Sequence, residues 1–234
     1  MPGTLVKQTN KLTSLATEQI SELTTNRLSV YLRCLELLSD AGRKTTSSGD
    51  LASQFRLNAA QIRKDLACFG EFGVRGVGYY VEELKRHLRE ILGIDRTIKV
   101  VIMGAGNLGL ALAGYPGFRR EGFDVVALFD NTPQKIGTAT KTGIPIHDVR
   151  RLPTITSRQK VGIAVLAVPA ASAQSVANRV VKAGIKAVLN FSPEAIQVPP
   201  DVKLKSVDLT VSLESLSFHL ARGEGGRGGE DRPR

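Results

Sequence analysis

The sequence has few of the groups that disulfide frameworks, metal centres and membrane spans require. Its 234 residues include only two cysteines, Cys34 and Cys68, which are too far apart in the chain to suggest a metal-type cluster. No run of about 18 apolar residues occurs, which argues against a transmembrane helix. Residues 1–11 lack the basic-then-apolar order of a signal peptide. A reduced, cytoplasmic protein is the simplest interpretation.

Residues for catalysis are equally scarce. The histidines His87, His147 and His219 stand in unrelated contexts, and we interpret each as a surface or partly buried side chain rather than a catalytic base. No Ser/His/Asp or metal-ligand spacing occurs. We therefore expect no catalytic residues and no bound metal.

The composition favours a globular chain with an excess of positive charge. A hydrophobic content of 42% suffices for two small domains with cores of their own. The net charge of +10 favours a nucleic-acid partner. This charge is spread along the chain, however, so it does not by itself locate a DNA-binding face.

One stretch has the pattern of a nucleotide-binding turn. An apolar strand over 100–103 leads into a G-x-G-x-x-G motif that precedes a helix. The motif reads Gly104-Ala105-Gly106-Asn107-Leu108-Gly109. Gly104 suits a tight turn, Gly106 lets the chain approach a pyrophosphate, and Gly109 allows close packing of helix and strand. The helix N-terminus would present free N–H groups to the phosphates.

An acidic residue follows at the distance that such a site needs. Asp130 ends a second apolar strand, 123–129, about 20 residues past the last glycine. A carboxylate there accepts hydrogen bonds from ribose hydroxyls and would repel the extra phosphate of NADP(H). The two features together predict an NAD(H) site; the alternative is a glycine loop with an unrelated surface acid.

From residue 97 onward the pattern alternates between strand and helix. The expected strands are 98–103, 123–129, 143–146, 161–168, 185–191 and 202–207, and the expected helices include 107–114 and 170–183. Such alternation is typical of a doubly wound parallel sheet. We therefore predict an α/β fold whose C-terminal part is a Rossmann-type domain.

The N-terminal part predicts three helices and a hairpin, the outline of a winged helix. The first helix begins near Asn26, interpreted as its N-cap, and a short second helix covers 49–55. Asn58 caps a third helix, with capping-box spacing to Gln61. The glycine-rich stretch 70–81 is typical of a hairpin.

The third helix has the pattern of a DNA-recognition helix. Its apolar stripe consists of Ile62, Leu66 and Phe69. Small residues beside Gln61, Arg63 and Lys64 form the other side, which suits a helix that enters a major groove. Arg75 is expected at the tip of the hairpin, where it would enter a minor groove. The alternative is a solvated helix and a plain surface hairpin.

A terminal amphipathic helix follows the predicted sheet. Its apolar stripe consists of Leu209, Leu213, Leu216 and Leu220. This stripe must be buried on its own sheet or on a partner chain. The expected divisions of the chain are a flexible arm (1–22), a winged-helix domain (23–95), a Rossmann domain (96–207), a C-terminal helix (208–221) and a disordered tail (222–234).

In combination, these motifs resemble the Rex family of redox-sensing transcriptional repressors. The motifs are Gln61-Ile62-Arg63-Lys64-Asp65-Leu66, Phe69-Gly70, Arg75-Gly76-Val77-Gly78-Tyr79, the glycine motif, Tyr115-Pro116-Gly117-Phe118, Ala167-Val168-Pro169 and Leu189-Asn190-Phe191. The resemblance implies a homodimeric repressor with exchanged C-terminal helices that binds palindromic operator DNA. It also implies that the repressor senses the NADH/NAD⁺ ratio and leaves DNA when NADH binds.

The resemblance implies roles for individual residues. The expected DNA contacts are Gln61, Arg63, Lys64 and Arg75. The expected cofactor contacts are Gly104, Ala105, Gly106, Asn107, Leu108, Gly109, Asp130, Tyr115, Val168, Pro169, Asn190 and Phe191. Arg33, Tyr115 and Asp208 match a family triad that couples the DNA-binding domain, the nicotinamide pocket and the partner subunit.

The chain departs from the family pattern at Ala67-Cys68, where Ser-Tyr is common, and this puts a phosphate or packing contact in doubt. We interpret Cys68 as a partly buried structural cysteine rather than a thiol sensor, and Cys34 as a core residue. Two other functions stay open. One is an NAD-dependent oxidoreductase with a fused helix-turn-helix domain, and the other is a scaffold that binds nucleotide only for stability.

Overall fold

The computed structural model describes residues 20–224, which form two compact units divided between Arg96 and Thr97. The arm predicted over 1–22 and the tail predicted over 222–234 lie largely outside the described residues. Within the described range, none of the helices combines the length and the apolar character that crossing a bilayer requires.

The N-terminal unit is built from helices around a single apolar cluster. Its described elements are α1 (Glu22–Asp40), β1 (Thr45–Thr46), α2 (Ser48–Phe55), α3 (Ala59–Ala67), β2 (Tyr79–Tyr80) and α4 (Val81–Ile91). The core includes Leu28, Leu32, Leu35, Leu38, Leu51, Ile62, Leu66, Leu84 and Leu88. Three residues separate α2 from α3, so the pair has the helix-turn-helix connection that the sequence predicts.

One helix start differs from the sequence prediction, and another agrees with it only in part. The first helix begins at Glu22 rather than near Asn26, because the Ser21 hydroxyl caps it about one turn earlier. Asn58 does cap α3, accepting the Gln61 backbone N–H at 3.0 Å. The reciprocal half of the predicted capping box is missing, however, because the Gln61 side chain donates instead to Asp65.

The predicted hairpin over 70–81 is confirmed at its tip, where Val74 and Gly78 form an isolated antiparallel bridge and the Val74 N–H donates to the Gly78 carbonyl at 2.7 Å. The pairing does not continue as two strands of its own. Strand β2 pairs antiparallel with β1, which precedes the helix-turn-helix in the chain. Between Val74 and Gly78 the chain makes a tight turn, in which the Val77 N–H donates to the Val74 carbonyl at 3.0 Å. Gly78, at φ +90°, passes so close to β1 that a Cβ would meet a carbonyl oxygen at 2.4 Å. Arg75 is exposed in this turn, so its predicted tip position is retained.

The C-terminal unit is an α/β sandwich around a six-stranded parallel sheet. Its elements are β3 (Ile98–Met103), α5 (Asn107–Ala113), α6 (Pro116–Arg120), β4 (Phe123–Asp130), β5 (Ile146–Asp148), a 3₁₀ turn (Val149–Arg151), α7 (Leu152–Gln159), β6 (Ile163–Leu166), α8 (Ala170–Lys182), β7 (Ala187–Asn190), β8 (Lys203–Ser206) and α9 (Leu209–Glu224). The strand order is β5-β4-β3-β6-β7-β8. This order confirms the predicted doubly wound sheet.

Alternation along β3 explains why both faces of the sheet are covered. Val101 and Met103 belong to a core cluster that includes buried residues of α7 and α8. Val100 and Ile102 point the other way, into a second cluster with Ala113 of α5.

Several boundaries in this unit differ from the prediction. Helices α6 and α7 were not predicted, and β5 begins at Ile146 rather than at residue 143. A turn precedes β5, since the Gly143 N–H donates to the Thr140 carbonyl at 2.9 Å. The C-terminal helix runs to Glu224, so residues 222–224 are helical rather than part of a disordered tail.

Candidate DNA-binding and dinucleotide-binding sites

The glycine turn after β3 has the steric requirements that its spacing predicts. Gly104 has φ +102°, and a Cβ there would lie 2.3 Å from the Ala167 carbonyl oxygen. A Cβ on Gly109 would lie 1.9 Å from the Gly104 carbonyl oxygen. At Gly106, in contrast, a Cβ would meet nothing within 4 Å. The turn is therefore closed toward the sheet and open on the side from which a phosphate would approach.

The turn lies at the switch point of the sheet, where a doubly wound fold binds its ligand. Strand β3 has β4 on one side and β6 on the other, and the chain order reverses there. Asp130 ends β4, Phe191 directly follows β7, and Val168 with Pro169 come one residue after the end of β6. Within the motif, Ala105 is buried and Gly106, Asn107 and Leu108 are exposed. The glycine motif, Asp130 and the residues after β6 and β7 thus gather at one edge of the sheet, whereas Tyr115 follows the far end of α5.

Asp130 is nearly buried and has partners on both oxygens. Its Oδ2 accepts the Ala105 backbone N–H at 2.8 Å, and its Oδ1 accepts the Thr132 backbone N–H at 2.8 Å. The Lys135 ammonium lies 3.4 Å from Oδ2. Burial acts to raise the pKa of Asp130, but the hydrogen bonds from Thr132 and Ala105 outweigh it and hold the pKa at about 2. An ionised carboxylate therefore stands beside the glycine turn.

Two of the other predicted cofactor residues differ sharply in exposure. The Asn190 side chain is buried: its Nδ2 donates to the Ser192 carbonyl at 3.0 Å, and its Oδ1 accepts the Ser192 N–H at 2.9 Å. It holds the loop after β7 and has no free face for a ligand. Tyr115 is 56% exposed, with its ring edge-on to Phe118 at 5.3 Å between centroids.

The predicted coupling residues are divided between the two units. Arg33 is exposed on α1, in the N-terminal unit. Tyr115 and Asp208 belong to the C-terminal unit, where the Asp208 carboxylate accepts the Thr210 N–H at 2.8 Å at the start of α9. Contact among the three stays a prediction.

The face of α3 carries the predicted DNA contacts in three different environments. Lys64 is exposed. Arg63 is also exposed, but its Nη1 donates to the Ser48 hydroxyl of α2 at 2.8 Å. The Gln61 amide is half-buried and donates to Asp65 Oδ1 at 2.7 Å. Of the three predicted DNA-contacting side chains on α3, Gln61 and Arg63 therefore already donate hydrogen bonds within their own unit.

The cysteines differ from each other in exposure. Cys34 is buried in the core of the N-terminal unit as predicted, and burial raises the pKa of its thiol. The prediction that Cys68 is partly buried is wrong. Cys68 follows the last residue of α3, is exposed, and donates its thiol hydrogen to the Lys64 carbonyl at 3.3 Å. Among residues 20–224, no group of three or more His, Cys, Asp or Glu side chains is placed to hold a metal ion.

The sequence prediction missed one charged cluster in the N-terminal unit. Asp65, whose side chain is 3% exposed, accepts hydrogen bonds from Arg27 and Tyr31 of α1. The signal was present, because Asp65 lies three residues after Ile62 and so falls at the edge of the apolar stripe. An acid in such a stripe requires a buried partner.

The fold and the two sites define a class of protein, in which a helix-turn-helix unit precedes a dinucleotide-binding Rossmann unit. Family models agree with this division. The model described as "Putative DNA-binding protein N-terminus" matches residues 19–67, and the model described as "CoA binding domain" matches residues 95–194.

Comparison with whole proteins identifies the family. The chain is 48% identical over 206 residues to the redox-sensing transcriptional repressor Rex of Desulfitobacterium hafniense, covering 88% of this chain and 98% of that one. It is similar to the crystal structure of RSP with β-NAD⁺ and operator DNA, at a TM-score of 0.83 and 40% identity over 90% of this chain and 99% of that one. RSP with β-NADH matches at 0.79 and 38% identity, over 91% and 99% of the two chains. The chain belongs to the Rex family of redox-sensing transcriptional repressors.

Proposed function

We propose that this chain is a DNA-binding transcriptional repressor whose operator affinity is set by the NADH/NAD⁺ ratio. The observation that carries the proposal is the presence, in one chain of the Rex family, of a helix-turn-helix and a glycine turn beside an ionised aspartate. The relatives support it: RSP has been crystallised with β-NAD⁺ and operator DNA, and with β-NADH. In this proposal NADH binding releases the operator.

The proposed DNA contacts are the exposed cations of the N-terminal unit. Lys64 and Arg63 would reach the major groove from α3, and Arg75 would enter the minor groove from its turn. Gln61 is assigned a weaker role in base contact, because its amide already donates to Asp65. Double-stranded operator DNA with palindromic half-sites is the proposed partner.

The proposed cofactor is NAD(H) rather than NADP(H). The open side of Gly106, with Asn107 and Leu108, would hold the pyrophosphate through backbone N–H groups. Asp130 would accept hydrogen bonds from a ribose, and its charge would repel a 2′-phosphate. Val168, Pro169, Phe191 and Tyr115 would line the remainder of the site, while Asn190 would act by holding its loop. The nicotinamide supplies the signal when bound, since its two oxidation states differ in charge and planarity.

A homodimer with exchanged C-terminal helices would join the two sensing units. The supporting observation is the face of α9, where Leu209, Leu213, Leu216 and Leu220 are each at least 60% exposed in the single chain. A stripe of this size calls for a second chain to cover it. The oxidation state of the nicotinamide would then be transmitted to the DNA-binding units through Arg33, Tyr115 and Asp208.

The proposal includes the absence of enzymatic turnover, because the relatives that the chain matches over most of its length are transcriptional repressors. We infer a cytoplasmic site of action from the proposed role on DNA. The second candidate is an NAD-dependent oxidoreductase with a fused N-terminal domain, which the Rossmann unit alone would favour. Steady NADH oxidation with a small carbonyl substrate would support that candidate instead.

The decisive experiment is an anisotropy titration of a duplex that the wild-type chain selects from a random pool. It is done at fixed salt with NAD⁺ and with NADH. We expect NADH to weaken binding about 5–150-fold, which corresponds to a coupling free energy of about 1–3 kcal/mol. Equal affinity with both cofactors would contradict the sensor. Asp208→Ala should bind DNA normally but respond less to NADH.

The DNA face is tested by removing single cations. Lys64→Ala and Arg75→Ala should each weaken binding and lower the salt slope by about one. Lys141→Ala, which removes an exposed cation from the C-terminal unit, is the matched control. If all three variants bind like the wild type, the assigned DNA face is wrong.

A further inference from the structure

The charged cluster of the N-terminal unit ties the recognition helix α3 to α1. Arg27 forms a two-pronged pair with Asp65, from Nε to Oδ2 at 2.6 Å and from Nη2 to Oδ1 at 2.7 Å. The Tyr31 hydroxyl donates to Oδ2 at 2.8 Å, and the Gln61 amide donates to Oδ1 at 2.7 Å. Four donors thus converge on one buried carboxylate.

The ionisation of the cluster follows from these contacts. Burial acts to raise the pKa of Asp65, but the hydrogen bonds from Arg27, Tyr31 and Gln61 outweigh it and lower the pKa. Burial and the hydrogen bond to Asp65 raise the pKa of Tyr31 to about 12. Asp65 is therefore an anion and Tyr31 a neutral donor at physiological pH. All four donated hydrogen bonds are made to a full charge.

Such a cluster is a costly way to fill the interface between two helices. Leucine and isoleucine would bury the same surface without any desolvation of charge, and a buried ion pair often adds little net stability. The pair adds a restraint on the orientation of α3 relative to α1. Apolar contacts such as those of Ile62 and Leu66 tolerate small rotations and slides, whereas a planar two-pronged pair does so only with loss of its hydrogen bonds.

The recognition helix has a second tie on its other flank. Arg63 donates to Ser48 at the start of α2, while Asp65 connects to α1. Lys64 lies between them in sequence and is exposed. The rotation of α3 about its axis is thus held by contacts on both sides of the exposed Lys64.

We propose that Asp65, held by Arg27 and Tyr31, is a positioning residue that sets the rotation and register of α3 for reading base edges. The inference rests on the proposed function and deepens it. Contacts to base edges need an accurate geometry, whereas contacts to phosphate depend mainly on charge. Loss of the cluster should therefore lower affinity for a specific sequence while leaving affinity for arbitrary DNA nearly unchanged.

The test compares two duplexes: one selected by the wild-type chain from a random pool, and a shuffled version of the same composition. The variants are Asp65→Asn, Arg27→Gln and Arg27→Lys. Arg86→Gln serves as the matched control, because it removes an exposed cation from α4 of the same unit. Binding of the full-length chain is measured at several salt concentrations, and a thermal melt shows that each variant is folded.

We expect Asp65→Asn and Arg27→Gln to weaken binding of the selected duplex at least tenfold and of the shuffled duplex less than twofold. Arg27→Lys keeps the charge but not the planar fork, and it should lose most of the same discrimination. Arg86→Gln should keep the wild-type ratio. If Asp65→Asn and Arg27→Gln do not fold, Arg27→Lys still tests the inference.

Other outcomes separate the competing explanations. If Arg27→Gln weakens both duplexes equally and lowers the salt slope by about one, Arg27 is a phosphate contact and the inference is overturned. If folded variants keep the wild-type ratio of affinities for the selected and the shuffled duplex, the cluster contributes only to packing and the inference is overturned. If the wild-type chain selects no duplex at all, the proposed function fails first and the inference falls with it.

Discussion

Each unit holds an aspartate whose carboxylate is nearly buried, but the two carboxylates are held in different ways. In the N-terminal unit, Asp65 is held by side chains, and two of these come from another helix. In the C-terminal unit, Asp130 is held mainly by backbone N–H groups of the glycine turn and of the loop that follows β4. The side chains of the two are 3% and 9% exposed.

The source of the partners determines what each carboxylate can do. Asp65 accepts hydrogen bonds from side chains of α1. Movement of α3 against α1 is therefore restrained, because it would break several of these hydrogen bonds together. In the proposed cofactor site, the backbone donors of Asp130 would give way to the hydroxyl groups of a ligand. In the two proposals, the same residue type therefore provides rigidity in one unit and ligand recognition in the other.

The largest expected difference is in stability. Asp65→Ala removes a carboxylate that accepts hydrogen bonds from Arg27, Tyr31 and Gln61, and we expect a loss of about 3 kcal/mol in the free energy of unfolding. Asp130→Ala should lose only about 2 kcal/mol, because water can replace the carboxylate at a loop. Urea denaturation, with hydrogen exchange to assign the loss to one unit, measures both values. Equal losses of stability in Asp65→Ala and Asp130→Ala would contradict the proposed difference between the two carboxylates.

Cofactor affinity should show the opposite ranking. Asp130→Ala removes a charged acceptor from the ribose, which corresponds to about 2 kcal/mol and hence tens-fold weaker NADH binding. Asp65→Asn should leave NADH affinity unchanged. Calorimetric titration is the measurement, and Asp201→Asn, an exposed acid of the same unit, is the control. A similar loss in the Asp65 variant would mean that the two sites are not separable.

Acid titration tests Asp130 on its own. Its pKa is about 2 in the folded chain, below the value of about 3.9 for an unfolded aspartate. The stabilising contribution is therefore complete above about pH 4 and is lost as the pH falls through 2. Between pH 5 and 2 the wild type should lose about 2 kcal/mol more than Asp130→Asn. Parallel unfolding curves for the two proteins would contradict this assignment.

Alkaline titration gives the smallest expected effect, at Tyr31. Its pKa is about 12 in the folded chain and about 10 in an unfolded one, so folding favours the protonated phenol. This contribution is complete below pH 10 and is lost as the pH rises through 12. From pH 10 to 11 the wild type should lose about 1 kcal/mol more than Tyr31→Phe. Tyr80→Phe, at an exposed tyrosine of the same unit, should behave like the wild type.

The sequence predicted best where one element carries its own pattern. The apolar run into the glycines predicted β3 correctly, because a buried strand and a steric motif are both local features. The two-residue strand β1 and the short helix α6 were missed, since neither is long enough to show a period. Their positions depend on tertiary partners: β1 pairs with β2, which lies more than thirty residues further along the chain.

The candidate sites show the same division. Asp130 was predicted because its distance from the glycine motif is a property of the sequence. The contact between Arg27 and Asp65 spans 38 residues, and nothing in the sequence says which acid meets which base. Ser48 likewise could not be assigned to Arg63 before the helices were placed. Pairings between elements are a result of packing, and local pattern does not contain them.

The glycine turn also limits how this protein can change over generations. A side chain at Gly109 would collide with the Gly104 carbonyl, and one at Gly104 would collide with the Ala167 carbonyl just after β6. Almost no substitution of Gly104 or Gly109 would therefore be tolerated. Any shift in cofactor preference, by natural drift or by engineering, must therefore be made elsewhere, and Asp130 with its neighbour Lys135 offers the nearest adjustable chemistry.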